Sequence, residues 1–215
     1  MIDSYKHKGL RKHLVETIRN KGIRDVNVLN AIESVPRHYF FDSSFLNFAY
    51  DDKAFPIGAG QTISQPYTVA FQTELLEIRK GDKVLEVGTG SGYQACILAE
   101  MGARVYSIER QRSLYDKAVK FIPTLGYTIK LFYGDGYRGL PAFAPFDKII
   151  VTAGAPYIPD ALVEQLKPVG ILVIPVGAGD IQIMTTVTKF SEIEFVRREH
   201  GTFRFVPLLE DKAKD

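Results

Sequence analysis

Between Tyr5 and Asn20 the apolar positions Leu10, Leu14 and Ile18 recur every four residues with Lys and Arg between them. That is the spacing of an amphipathic helix, and Gly22 closes it. Asp25 is placed to cap a second helix through Val28, Leu29, Ile32 and Val35, which Pro36 stops. Periodicity then lapses. Residues 51–65 hold two glycines and a proline with no sustained repeat, so they predict a long ordered loop; the apolar Phe55, Ile57 and Ile63 argue against disorder there. Pro66 suits the first turn of a helix through Val69, Leu75 and Leu76, with Ser64 or Gln65 near its cap.

From Lys83 onward the pattern alternates. Apolar runs at 84–87, 104–108, 129–133, 148–152 and 171–176 predict buried strands, and 94–100, 112–125 and 159–166 predict the helices between them. Beyond Gly177 the helical spacing stops, and 181–189, 193–198 and 203–209 predict consecutive strands. The expected fold class is α/β: a Rossmann-like, doubly wound sheet, mostly parallel, with antiparallel C-terminal strands and an N-terminal helical extension. With no linker-like shift in composition, a single domain over 1–215 is expected. Residues 1–80 would form the extension and loop, and 81–215 the cofactor-binding core. Order is expected throughout except in the last few residues.

Composition narrows the partners. Hydrophobic residues at 46% and charged residues at 24% supply an ordinary globular core, and a net charge of +2 lacks the dense basic face that phosphate-tracking proteins carry. No nucleic acid is expected as a partner. The basic and aromatic run Arg37-His38-Tyr39-Phe40-Phe41 therefore reads as anchors for the extension, ahead of a base-stacking surface. No apolar run has membrane-spanning length or a signal-peptide form, and Cys96, the sole cysteine, has no partner for an internal disulfide. A cytoplasmic monomer that does not engage a membrane is expected, with Cys96 a packed core thiol. The four histidines are dispersed without paired spacing, so no metal site is expected.

The chemistry gathers at predicted strand ends. After 84–87 come Gly88, Gly90 and Gly92, a turn that brings backbone close to a ligand, preceded by Glu86. A dinucleotide fingerprint would place its third glycine at 93, where this chain has Tyr93. A carboxylate just before the glycines suits a cationic ligand, and the sulfonium and amino group of S-adenosylmethionine fit that description. Glu109 follows the first glycine by about twenty residues, the place of a ribose-binding acid in this architecture. Gly134-Asp135-Gly136 closes the next strand, where flanking glycines admit a flat ring and Asp135 can accept from an exocyclic amine such as adenine's. After 148–152 the chain reads Ala153-Gly154-Ala155-Pro156-Tyr157. The Asn or Asp with Pro-Pro and an aromatic that marks amino-directed methyltransferases is absent, which disfavours an amine acceptor. Two rivals stay open on the residues alone: a methyltransferase acting on RNA or a small molecule, and a scaffold whose cofactor site has decayed.

Several longer runs carry a resemblance. Val35-Pro36-Arg37-His38-Tyr39-Phe40, the stretch from Pro56 to Tyr67, Leu85 to Tyr93, Gly134-Asp135-Gly136 and Arg204-Phe205-Val206-Pro207-Leu208 together resemble the protein-L-isoaspartate (D-aspartate) O-methyltransferase family over nearly the whole chain. The glycine motif is shared by many methyltransferases; the 56–67 loop and the 204–208 run are specific to this family. Thr68-Val69-Ala70 departs mildly from it at the pocket wall.

The resemblance implies methyl transfer from S-adenosylmethionine, leaving S-adenosylhomocysteine, to the free carboxylate of isoaspartyl residues, with D-aspartyl residues as a further substrate. It matches Ser64 to the active-site serine, and Glu109 and Asp135 to the ribose and adenine acceptors. Glu86, Gly88, Gly90, Gly92 and Gly136 complete the implied cofactor set, and Thr62, Ile63, Gln65, Val206, Pro207 and Leu208 join Ser64 against the peptide substrate. The chemistry agrees, since a carboxylate with a pKa near 4 is already ionised at neutral pH and needs alignment instead of a strong base. With no His partner evident, Ser64 reads as a positioning hydroxyl and not a nucleophile. Pro207 within a strand-like run predicts an edge or bulge where an extended peptide can pair.

Overall fold

A computed structural model describes residues 2–213 of the chain; the last two residues of the expected disordered tail lie outside the described residues. Helix α1, Tyr5–Asn20, starts in a capping box in which the Ser4 hydroxyl accepts from the His7 amide and His7 Nδ1 accepts from the Ser4 amide. Its buried side is Arg11, Leu14, Val15 and Ile18, while Leu10 is 39% exposed. The apolar stripe is therefore rotated from the expected one. Arg11 takes the inward place because its guanidinium donates to the Glu33 carbonyl, to the Tyr50 hydroxyl at 3.0 Å and to both Asp3 oxygens. Asp25 caps α2, Val26–Ser34, by accepting from the Asn27 and Val28 amides. The 37–41 run then makes one tight turn with Arg37, His38 and Phe40 buried, as anchors would be.

Residues 51–65 are more regular than their sequence predicts. They contain a hairpin of β1, Phe55–Gly58, and β2, Gln61–Ile63, which turns through Ala59 and Gly60 at positive φ. Phe55 and Ile57 alternate with exposed Pro56 and Gly58, a period-two pattern too short to stand out from the surrounding turn residues. Helix α3, Pro66–Leu76, has Gln65 in the cap position with no side-chain cap bond. The Tyr67 amide instead donates to Asp52 at 2.8 Å, so the expected capping by Ser64 or Gln65 is corrected: the carboxylate comes from across the hairpin.

The main sheet holds β3, Lys83–Val87; β4, Arg104–Glu109; β5, Lys130–Tyr133; β6, Phe146–Val151; β7, Leu166–Val176; β8, Gln182–Lys189; and β9, Phe195–Phe203. Their spatial order is β5-β4-β3-β6-β7-β8-β9. The first five are parallel and β8 and β9 are antiparallel, which is the expected architecture. Helices α4, Tyr93–Glu100, α5, Arg112–Phe121, and α6, Asp160–Glu164, connect the parallel strands. The turn after α5 tightens at Ile122–Leu125, where Pro123 has no amide to continue the α ladder. Leu85, Val87, Ile149 and Val151 pack with Leu162 on one face of the sheet, while Val84 and Ile150 pack with Leu76, Ala95 and Leu98 on the other.

The C-terminal segment departs from expectation. One strand, β9, replaces the paired runs at 193–198 and 203–209. Residues 206–208 instead cross the end of β6: the Gly154 amide donates to Val206 at 2.8 Å and the Leu208 amide to Gly154 at 2.7 Å. Pro207 between them has no amide to donate, which suits a single bridge and forbids a ladder. No helix among the described residues is long and apolar enough to cross a membrane.

Candidate functional site

The parallel strands end together, and their carboxyl ends wall a cavity, as doubly wound sheets predict. After β3 the chain turns sharply at Gly88, φ +100°, and a Cβ there would meet Thr152 Oγ1 at 2.5 Å. Thr152 comes that close because its hydroxyl donates to the Gly88 and Val87 carbonyls at 2.7 and 3.1 Å, tying the ends of β3 and β6. Glu109, 4% exposed at the end of β4, accepts from the Gly90 amide at 2.8 Å and the Gln111 amide at 2.8 Å. Gly88, Thr89, Gly90, Glu109, Gly136 and Thr152 all line this cavity, facing Ile63 and Ser64 of the hairpin and Val206, Pro207 and Leu208 of the C-terminal segment.

The donor and acceptor set fits a nucleoside. Each Glu109 oxygen takes one amide and keeps further acceptor capacity toward a diol, while Gly88 and Gly136 let the chain pass close to Thr152 and Val87 at the cavity wall. Three predicted cofactor residues stand outside the lining. Gly92, φ +85°, is packed against Ile122, whose Cδ1 a Cβ would meet at 2.6 Å, so it serves helix packing. Asp135 lies two residues past β5, its carboxylate accepting from the Tyr137 amide at 2.9 Å and lying 3.6 Å from Arg138, while its neighbour Gly136 reaches the cavity.

Glu86 is the third. It points to the α4 side of the sheet and is fully buried; Ser107 donates to one of its oxygens, Ser107 meets Thr89 Oγ1 at 2.6 Å, and its other oxygen has no partner. Burial, with Glu109 nearby, pushes its pKa up to about 8 against the Ser107 bond, so Glu86 is mainly protonated at neutral pH. The expected carboxylate beside a cation is thus a sealed acid that reaches the cavity wall through Ser107 and Thr89.

A second cavity adjoins the first, lined by Gln65, Tyr67, Ile181, Phe203, Arg204 and Phe205. The two share Thr62, Ser64, Thr152 and Val206. Glu109, Arg110 and Arg204 are the charged residues in the two linings, and no histidine is among them. Cys96 is fully buried, and burial raises its thiol pKa, as expected of a core thiol.

Sequence reasoning missed two features. Thr152 is legible in the sequence only as the last residue of the 148–152 strand. The histidines, dispersed in sequence, are not all apart in space: the His7 and His38 rings lie 3.8 Å apart, and with Asp3 they bring possible ligand atoms within 4.8 Å of one another. Burial, with His7 beside it, pushes His38 down to about 4, and Arg11 already holds both Asp3 oxygens, a competitor that any cation there must displace.

A family model for protein-L-isoaspartate(D-aspartate) O-methyltransferase matches residues 9–213. Protein-L-isoaspartate O-methyltransferases of Christiangramia forsetii and Flavobacterium psychrophilum are 63% and 61% identical over 213 residues, 99% of this chain and all of theirs. A solved protein-L-isoaspartate O-methyltransferase superposes with a TM-score of 0.83 at 29% identity, covering 92% of this chain and 65% of that longer one. A Plasmodium falciparum protein assigned the same activity, solved with S-adenosyl-L-homocysteine, gives 0.81 at 26% identity over 93% of this chain and 98% of its own.

Proposed function

Because the chain belongs to the protein-L-isoaspartate(D-aspartate) O-methyltransferase family, we propose a division of labour between its two joined cavities. The enzyme methylates the free carboxylate of isoaspartyl residues in damaged proteins and peptides, which initiates their repair through a succinimide. S-adenosylmethionine supplies an electrophilic methyl group on its sulfonium. In our reading Glu109 accepts from the ribose hydroxyls, Asp135 with Gly136 receives the adenine edge, and the glycine turn from Gly88 holds the amino-acid end. Glu86 acts there indirectly, by fixing Ser107 and Thr89.

The second cavity takes the peptide. Ser64 stands where the two cavities meet, and its hydroxyl donates to the acceptor carboxylate; Thr62, Gln65 and Val206 line the peptide cavity, and Ile63, Pro207 and Leu208 meet the substrate from the first cavity at the junction. The observation that carries this reading is that Ser64 belongs to both linings while those linings hold no histidine. An acceptor already ionised at neutral pH needs no base, so alignment and exclusion of water are what the residues must supply. The net charge of +2 supports peptides over nucleic acid as partners, and a single buried thiol suits the cytoplasm. A monomer is proposed, and light scattering checks it.

The test is Ser64→Ala assayed on paired peptides differing only in Asp versus isoAsp. A lost hydrogen bond to a charged group is worth about 1.5–3 kcal/mol, so turnover on the isoAsp peptide should fall about tenfold to a hundredfold. S-adenosylhomocysteine affinity and melting temperature should hold, because Asp52 and not Ser64 caps α3. Unchanged turnover would remove Ser64 from the acceptor site.

A further inference from the structure

Arg37 is the first of the largest fully buried side chains among the described residues, and it lines neither cavity. Its Nη2 donates to the Ser64 carbonyl at 2.9 Å and reaches the Lys53 carbonyl at 3.4 Å. The guanidinium carbon stands 4.8 Å from the centre of the Tyr93 ring and 5.3 Å from that of Phe41. Nε and Nη1 make no hydrogen bond of regular geometry, and the Tyr93 hydroxyl beside them has the guanidinium as its charge partner. Burial pulls the guanidinium down to about 10, which leaves it charged at neutral pH.

A buried cation with two donors outside any regular hydrogen bond is a poor device for stability alone, since its desolvation is costly and an apolar side chain of similar volume would fill the space. What an apolar side chain cannot do is hold a carbonyl from behind. Ser64 ends the hairpin and belongs to both cavities; Tyr93 opens α4 directly after the glycine turn and lines the first cavity. Arg37 touches both from the side away from the ligands.

We infer that Arg37 is a positioning residue for methyl transfer, clamping the Ser64 main chain against Tyr93 so that the acceptor hairpin and the cofactor turn keep one spacing. This rests on the reading of Ser64 as the acceptor-aligning hydroxyl. A lysine in its place retains the charge but, with one ammonium in place of the planar fork, cannot span the same contacts.

The experiment is a double-mutant cycle on the full chain, with Arg37→Lys, Ser64→Ala and their combination, and Arg37→Met as a further variant. Each is measured for kcat and KM on an isoAsp peptide, S-adenosylhomocysteine Kd and melting temperature. Misplacement of a reacting group by about an ångström costs up to a hundredfold, so Arg37→Lys should lower kcat about tenfold or more, with Kd for S-adenosylhomocysteine within about threefold of the parent. In the Ser64→Ala background the same substitution should change kcat less than about twofold, because the hydroxyl that Arg37 positions is gone. Arg37→Met, where it folds, should be slower than Arg37→Lys.

A parent-like kcat in Arg37→Lys, a loss accounted for by weaker cofactor binding, or additive effects in the cycle would overturn the inference while leaving the Ser64 reading intact. Parent-like turnover in Ser64→Ala would overturn the Ser64 reading and the inference together. If Arg37→Met does not fold, the lysine cycle alone decides.

Discussion

The two sides of the cleft are built differently. On the cofactor side each residue stands at or near a strand end and is held from the same or an adjoining strand end: Glu109 by the Gly90 and Gln111 amides, Glu86 by Ser107 on β4, Thr152 by the carbonyls at the end of β3. On the acceptor side Ser64 directly follows a short hairpin and is held by segments outside the parallel strands. Arg37 grips its carbonyl, Asp52 caps the helix that follows, and residues 206–208 close the opposite wall through Gly154. A parallel sheet brings its strand ends together as a matter of topology, so a cofactor site there needs only the right residue after each strand. A hairpin on its own is marginal and must borrow rigidity from contacts elsewhere.

The sharpest way to test the cofactor side is its sealed acid. Glu86 rises from its ordinary 4.5 to about 8, so the folded chain binds this proton more tightly than the unfolded chain does. Its contribution to stability is fullest below about pH 4.5 and is lost as pH rises through 8, at up to about 1.4 kcal/mol per pH unit. Glu86→Gln keeps an acceptor for Ser107 and removes the titration. Chemical unfolding from pH 5 to 8.5 should show a flatter profile for the variant, which gains on the parent toward high pH. Parallel profiles would mean that Glu86 is charged, and that the cofactor side carries a buried carboxylate after all.

Next in size is the wall itself. Glu109→Ala removes a charged acceptor from the cavity and leaves the Gly90 amide without its partner, so S-adenosylhomocysteine affinity should weaken by about 1.5–3 kcal/mol, tenfold or more, in calorimetric titration. The fold should survive. An unchanged affinity would show that the strand-end acids only shape the turn.

The smallest effect concerns the acceptor side. Asp52→Ala takes away the cap of α3 and the partner of Lys21, and should cost about 1 kcal/mol of stability in denaturant unfolding. If the α3 cap acts on the acceptor side alone, cofactor affinity should not move, whereas KM for the isoAsp peptide should rise. A fall in cofactor affinity comparable to that of Glu109→Ala would erase the distinction between them.

Much of the cofactor side is legible in the amino-acid sequence. Gly88, Gly90, Glu109 and Gly136 follow runs whose apolar spacing marks strands, and strands in an alternating α/β pattern end at one edge. Glu86 is legible as an acid but not in its ionisation, which depends on a burial that no spacing reports. On the acceptor side, the motif from Pro56 to Tyr67 carries the family resemblance while its hairpin stays hidden, since four- and three-residue strands offer too few alternations to stand out from turn residues.

What the sequence by itself determined is what depends on neighbours along the chain: the helices, the parallel core, the antiparallel finish and the order of residues at the strand ends. The tertiary structure decided what depends on residues far apart in sequence meeting in space. Arg11 displaced Leu10 from the buried side of α1 because Asp3, Glu33 and Tyr50 converge on it. Asp52 took the cap that Ser64 or Gln65 was expected to supply, and the run after Phe203 became a single bridge because Pro207 has no amide to extend a ladder. Hydrophobic periodicity records which side of an element is buried, but a polar group chooses its partner only once the backbone has brought the candidates within hydrogen-bonding distance.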